Sequence, residues 1–114
     1  MSRKILVIDD EFLILNSVEK ALTKVGYHVT KAKNLRELAA ALNDAPFDLL
    51  ITDLHMEEDS TENILDLVKQ TSPHIRVLYM SGGPYKISAD NFIEKPFKLD
   101  DLREKVRACL DEPS

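Results

Sequence analysis

Cysteine is almost missing from this 114-residue chain: Cys109 stands alone. One thiol cannot close an internal disulfide, so the fold makes no demand on an oxidising compartment. An excess of basic residues is missing too. Fifteen Lys and Arg stand against 20 Asp and Glu, which leaves a net charge of −5 and a pI of about 5.1. A protein that holds nucleic acid through its phosphates needs the opposite balance. No apolar run approaches the ~20 residues that span a bilayer. The short run after Met1-Ser2-Arg3-Lys4 ends at once in acids, without the longer apolar region and small-residue cleavage site of a secretory signal. The expectation is a cytoplasmic protein with neither nucleic acid nor membrane as a partner. Repeats, low-complexity stretches and interdomain linkers are also lacking, and Asp111-Glu112-Pro113-Ser114 reads as a frayed end or the start of a linker. The length suits a single domain over residues 1–114, and 44% hydrophobic residues are enough for one core.

What is present has a regular order. Ile5 to Ile8 is continuously apolar and β-branched, as expected of a strand buried on both faces. Over residues 11–25 the period changes: Leu15, Val18, Leu22 and Val25 recur at helical spacing, and Gly26 supplies the stop. A short second strand spans Tyr27 to Lys31. Asn34 with Glu37 predicts a capping box before Leu35, Leu38, Ala39 and Leu42, and Pro46 ends that region. Asp48 to Thr52 is the third strand. Ser60 or Thr61 caps a helix carrying Ile64, Leu65, Leu67 and Val68, which Pro73 breaks. Val77 to Met80 is strand four and Phe92 to Glu94 strand five. Asp100 and Asp101 open a last helix, where negative charge suits the helix dipole. In that helix Cys109 falls in step with Leu102, Val106 and Leu110, the place of a small core residue. Strands alternating with helices predict an α/β fold with a parallel sheet covered on both faces.

In such folds ligands sit beyond the C-terminal ends of the strands, and each polar signal of the chain falls at one of those ends. Asp9 and Asp10 follow the first strand, Asp53 the third, Ser81 the fourth and Lys95 the fifth. Each signal alone is ordinary: a solvated turn, a turn-forming aspartate, a serine before Gly82-Gly83, a surface lysine. Four in order at strand ends form a constellation. Three short carboxylates brought together repel one another, and oxygen donors of this kind suit a hard cation such as Mg²⁺. Such an ion neutralises charge on a phosphoryl group. Asp53 is the candidate nucleophile, since aspartate can form an acyl phosphate. Ser81 and Lys95 can donate to phosphate oxygens, the stabilisation that phosphoryl transfer needs.

The segments Lys4-Ile5-Leu6-Val7-Ile8-Asp9-Asp10-Glu11, Leu50-Ile51-Thr52-Asp53-Leu54-His55-Met56, Val77-Leu78-Tyr79-Met80-Ser81-Gly82 and Phe92-Ile93-Glu94-Lys95-Pro96-Phe97 resemble the CheY-like receiver domain of bacterial two-component response regulators. The resemblance covers nearly the whole chain. It implies a (βα)5 flavodoxin-like fold with a five-stranded parallel sheet. It implies a phosphoprotein of a phosphorelay, in which Asp53 takes a phosphoryl group from a histidine kinase or a histidine phosphotransfer protein. The domain would catalyse only its own phosphorylation and dephosphorylation. Asp10, Asp53 and the backbone carbonyl of His55 would ligate Mg²⁺ directly, and Asp9 through water. Ser81 would move to bond the phosphoryl group, and Lys95 would pair with it. Phe92 matches the aromatic switch position, and Lys95–Pro96 the bond that is usually cis. By the same resemblance, His55 and Gly83 influence how water reaches the acyl phosphate.

The chain departs from that pattern in three places. Glu57 stands where proline usually follows Asp-x-x-Met, and Ser60 where glycine is usual, so the stretch from Met56 is more acidic than the pattern. Only ten residues, 82–91, separate Ser81 from Phe92, and a full crossover helix usually needs a dozen or more. The fourth helix is therefore expected to be reduced or absent, as in receivers attached to hybrid histidine kinases, which leaves room for a fused kinase or output domain. Two competing functions remain. One is a receiver-like interaction domain that takes no phosphate. The other is a Mg²⁺-dependent phosphohydrolase, which would want a second acid two residues after its nucleophile, where this chain has His55. A nucleotide-binding flavodoxin-like protein fits poorly, because no strand ends in a glycine-rich phosphate loop.

Overall fold

A computed structural model describes residues 3–56, 60–82 and 91–111. Five strands form one parallel sheet: β1 (Lys4–Ile8), β2 (His28–Ala32), β3 (Leu49–Asp53), β4 (Arg76–Ser81) and β5 (Phe92–Glu94). Their spatial order is β2-β1-β3-β4-β5. Four α-helices are described: α1 (Phe12–Thr23), α2 (Leu35–Ala41), α3 (Thr61–Thr71) and α4 (Leu99–Asp111), with a 3-10 turn at Leu42–Asp44.

The two faces of the sheet hold two separate cores. Ile5 and Val7, Leu49 and Ile51, and Leu78 and Met80 pack against Leu15, Val18 and Leu22 of α1 and Leu102, Val106 and Leu110 of α4. Cys109 is buried in the same cluster, as its helical spacing predicts. The alternate strand residues Leu6, Ile8 and Leu50 turn the other way. They meet Leu38 of α2 and Ile64 and Val68 of α3. A strand buried on both faces thus explains the unbroken apolar runs.

Element boundaries differ from expectation by a residue or two, each for a visible reason. Gly26 has φ 99°, a left-handed conformation that glycine adopts without strain. The Tyr27 N–H then closes back onto the Leu22 carbonyl at 3.1 Å, so Tyr27 completes the helix stop and β2 begins at His28. Val25 lies past the end of α1 and is exposed, not core. Asp48 precedes β3: its carboxylate accepts the Lys4 N–H at 2.7 Å. Asn34 caps α2 by accepting the Glu37 N–H at 2.8 Å, but the Glu37 carboxylate returns to the Lys33 N–H rather than to Asn34. Ala39 is exposed. Of the two candidate caps for α3, Ser60 accepts the Asn63 N–H at 3.1 Å.

Lys95–Pro96 is cis, as the resemblance implies, and so is Ala45–Pro46. The expected reduction of the fourth crossover helix falls on residues 83–90, outside the described residues, as do Gly83 and the departure at Glu57. No helix among the described residues is long and apolar enough to cross a membrane.

Buried Ser72 fixes the chain just before β3 by accepting the Phe47 N–H at 3.0 Å. Ser72→Ala leaves that buried donor unmatched. Urea unfolding of the variant should show a loss of about 1–3 kcal/mol.

Candidate functional site

The chain runs from β1 outward to β2, then crosses back to β3, β4 and β5 on the other side. The strand order reverses between β1 and β3, and parallel sheets open a crevice at such a point. Asp9 and Asp10 follow β1, and Asp53 is the last residue of β3. One carboxylate oxygen from each lies within 4.8 Å of the others. Asp10 is exposed, whereas Asp9 is 0% and Asp53 4% exposed.

Each buried carboxylate is held on both sides. Asp9 Oδ1 accepts the Glu11 N–H at 2.8 Å, and Asp9 Oδ2 accepts from Lys95 Nζ at 2.6 Å. Asp53 Oδ1 accepts the His55 N–H at 3.1 Å, and its Oδ2 lies 3.4 Å from Lys95 Nζ. The Lys95 side chain, 10% exposed, sits between the two acids, with Glu11 Oε1 at 3.9 Å. Its reach is set by the sheet: the Lys95 N–H donates to the Ser81 carbonyl at 2.8 Å, which extends the β4–β5 ladder by one residue.

Ser81 closes β4 and is 1% exposed. Its Oγ lies 3.1 Å from His55 Nε2. Phe92 stands apart from this cluster, at the start of β5 in register with Tyr79, and is buried. Sequence reasoning missed the part of Glu11 and one contact of His55. Glu11 was read only as part of an acidic run, although its amide and carboxylate both face the site. The His55 ring reaches the next strand end, and no spacing rule signals a contact between a loop side chain and a neighbouring strand.

Burial sets the electrostatics. Loss of water around Asp9 raises its carboxyl above the ordinary 3.8, and the Asp53 charge adds to that, against the pull of the Lys95 hydrogen bond. Burial alone would lower Lys95, but the hydrogen bond to Asp9 and the charges of Asp9, Asp53 and Glu11 outweigh it and raise it above 10.5. A simple ion pair would lower the acid and raise the base. Here Asp9 is the deeper partner, so its desolvation prevails. An all-oxygen donor set with surplus negative charge and one member exposed is the chemistry that fits a hard divalent cation.

The family model described as the response regulator receiver domain matches residues 5–107. The chain is 31% identical to the DNA-binding transcriptional regulator NtrC of Bradyrhizobium over 96% of its own length, but spans 24% of that protein. It is 28% identical to the response regulator receiver protein CpdR of Brucella abortus, over 95% of this chain and 97% of that one. A solved response regulator from Thermotoga maritima matches it with a TM-score of 0.82 at 27% identity, covering 98% of this chain and 100% of that chain. The chain spans between about a quarter and a little over half of the first curated relatives it matches.

Two outcomes follow from the charge arrangement. With its native carboxyl raised, Asp9 holds a proton more tightly folded than unfolded, so its share of metal-free stability falls as pH rises from 3.8 through the raised value. A cation needs the deprotonated form. The melting-temperature gain from Mg²⁺ should therefore grow across that window and level off above it. The stabilisation should reach about 1.4 kcal/mol at ten times the Kd, or roughly 6 °C for a domain of this size. A gain that is zero, or flat with pH, counts against the site. Lys95→Ala should lower metal-free stability by less than the ~3–5 kcal/mol of a broken buried pair, because Asp9 can take up a proton. Mg²⁺ should then stabilise the variant more than the native chain, since a competing cation is gone; calorimetric titration reads this directly.

Proposed function

This chain belongs to the response regulator receiver domain family, and from that premise we propose that it is a phosphoacceptor signalling module, one domain over residues 1–114. Asp53 is the acceptor. A carboxylate oxygen of Asp53 attacks the phosphorus of a phosphohistidine; the new P–O bond forms as the P–N bond breaks, and the imidazole nitrogen leaves with its electron pair. The observation that supports this best is the placement of the Lys95 ammonium, 2.6 Å from Asp9 and 3.4 Å from Asp53. Charge that develops on the phosphoryl oxygens meets a cation already in place, which needs no reorganisation.

Asp9, Asp10, Asp53 and the His55 carbonyl are the residues that would hold Mg²⁺. Bound there, it supplies further neutralisation of the phosphoryl charge. Ser81 supplies a hydroxyl donor from the end of β4. Phe92 is the aromatic that would repack when Ser81 moves, and with no hydroxyl of its own it would act through packing alone. Beside the site, Phe12 and Leu13 are 67% and 78% exposed. Large apolar side chains on the rim of a charged crevice suit a protein partner, here the kinase or phosphotransfer protein that carries the phosphohistidine. A cytoplasmic location goes with such a donor, and the greater length of several relatives leaves room for a fused kinase or output domain.

Intact mass after incubation with acetyl phosphate and Mg²⁺ tests the reading. A gain of one phosphoryl group is expected in the native chain and not in Asp53→Asn. No gain in a folded native chain would turn the assignment to an interaction domain that works without phosphate.

A further inference from the structure

We propose that the His55 imidazole is a latch on the Ser81 hydroxyl: a positioning residue that holds the resting arrangement and releases when a phosphoryl group is bound. The inference rests on the phosphoacceptor reading and deepens it. His55 touches the site twice. Its backbone N–H donates to Asp53 Oδ1 at 3.1 Å, and its ring Nε2 lies 3.1 Å from Ser81 Oγ. One loop residue thus links the acceptor at the end of β3 to the hydroxyl at the end of β4. Ser81 is buried, while His55 as a whole is exposed.

The chemistry of the hydroxyl makes this a restraint. Serine carries a single O–H, and phosphoryl oxygens only accept. In one imidazole tautomer Nε2 takes that proton, which a phosphoryl oxygen would need. In the other the ring donates and fixes the direction of Oγ. Either way, turning Ser81 Oγ to a phosphoryl group on Asp53 gives up the bond to His55. The bond exists in the resting state only, so it biases the equilibrium toward rest. A net hydrogen bond is worth about 2- to 12-fold in such an equilibrium.

The test uses the full chain with Mg²⁺ and beryllofluoride, a tetrahedral stand-in for a phosphoryl group on a carboxylate oxygen. Affinities are measured for the native chain, His55→Ala, His55→Gln, Ser81→Ala and the double variant His55→Ala/Ser81→Ala. Melting temperatures confirm folding, which an exposed residue should not disturb. His55→Ala is expected to bind beryllofluoride about 2- to 12-fold more tightly than the native chain. His55→Gln, whose amide can still meet the hydroxyl, should return toward native affinity. In the Ser81→Ala background the gain from losing His55 should be smaller. Weaker binding by His55→Ala overturns the latch and makes the imidazole a phosphoryl ligand instead. An equal gain with and without Ser81 also overturns it, because the ring would then act by crowding. Native affinity in His55→Ala overturns it too, while leaving the phosphoacceptor reading in place. Absence of beryllofluoride binding in every variant, the native chain included, overturns the phosphoacceptor reading and the latch together.

Discussion

The site depends on a single bond between distant parts of the chain, the 2.6 Å contact of Lys95 Nζ with Asp9 Oδ2. A carboxylate with no exposed surface is costly to keep charged. Lys95 meets part of that cost from the end of β5, across β3 and β4, and the same ammonium lies over Asp53 on the way. The geometry works only in one strand register. A slip of one residue in β5 would send Lys95 to the opposite face of the sheet. The ladder bond from the Lys95 N–H to the Ser81 carbonyl guards against that slip.

The sheet separates two tasks along its strands. The middles of β1, β3 and β4 carry alternating apolar side chains into two cores, while their ends carry acids and a hydroxyl. The cores make the scaffold stiff, and the ends can then be unfavourable. Asp9, Asp10 and Asp53 crowd within 4.8 Å, an arrangement that flexible loops would relieve by moving apart. Here Asp53 is held by β3, and Asp9 just past β1 by its N–H bond to the Ala32 carbonyl at 3.2 Å, which leaves the cluster with a standing attraction for cations.

Much of this was legible in the residues. The apolar runs gave the strands, the helical spacing of Leu15, Val18 and Leu22 gave a buried face, and the strand-end positions of Asp9, Asp53, Ser81 and Lys95 gave the cluster. These signals are local, or follow from the rule that parallel strands share a direction. The errors were also local. Hydrophobicity places Tyr27 in the strand because it does not report that the Tyr27 N–H closes the turn at Gly26, and the helical spacing runs on to Val25, past the point where the helix stops. The Glu11 contact with Lys95 and the His55 ring contact with Ser81 could not be read, because each depends on side-chain direction across a gap that sequence separation does not measure.

The Asp9–Lys95 bond also orders events in time. Its partners lie 86 residues apart, and a ribosome makes the amino end first. Asp9 and Asp10, and later Asp53, are made before the Lys95 ammonium exists. Until the last strand docks at the edge of the sheet, Asp9 and Asp53 have no Lys95 ammonium beside them. A chain broken off before β5 would keep Asp9 and Asp53 without the ammonium that sits between them.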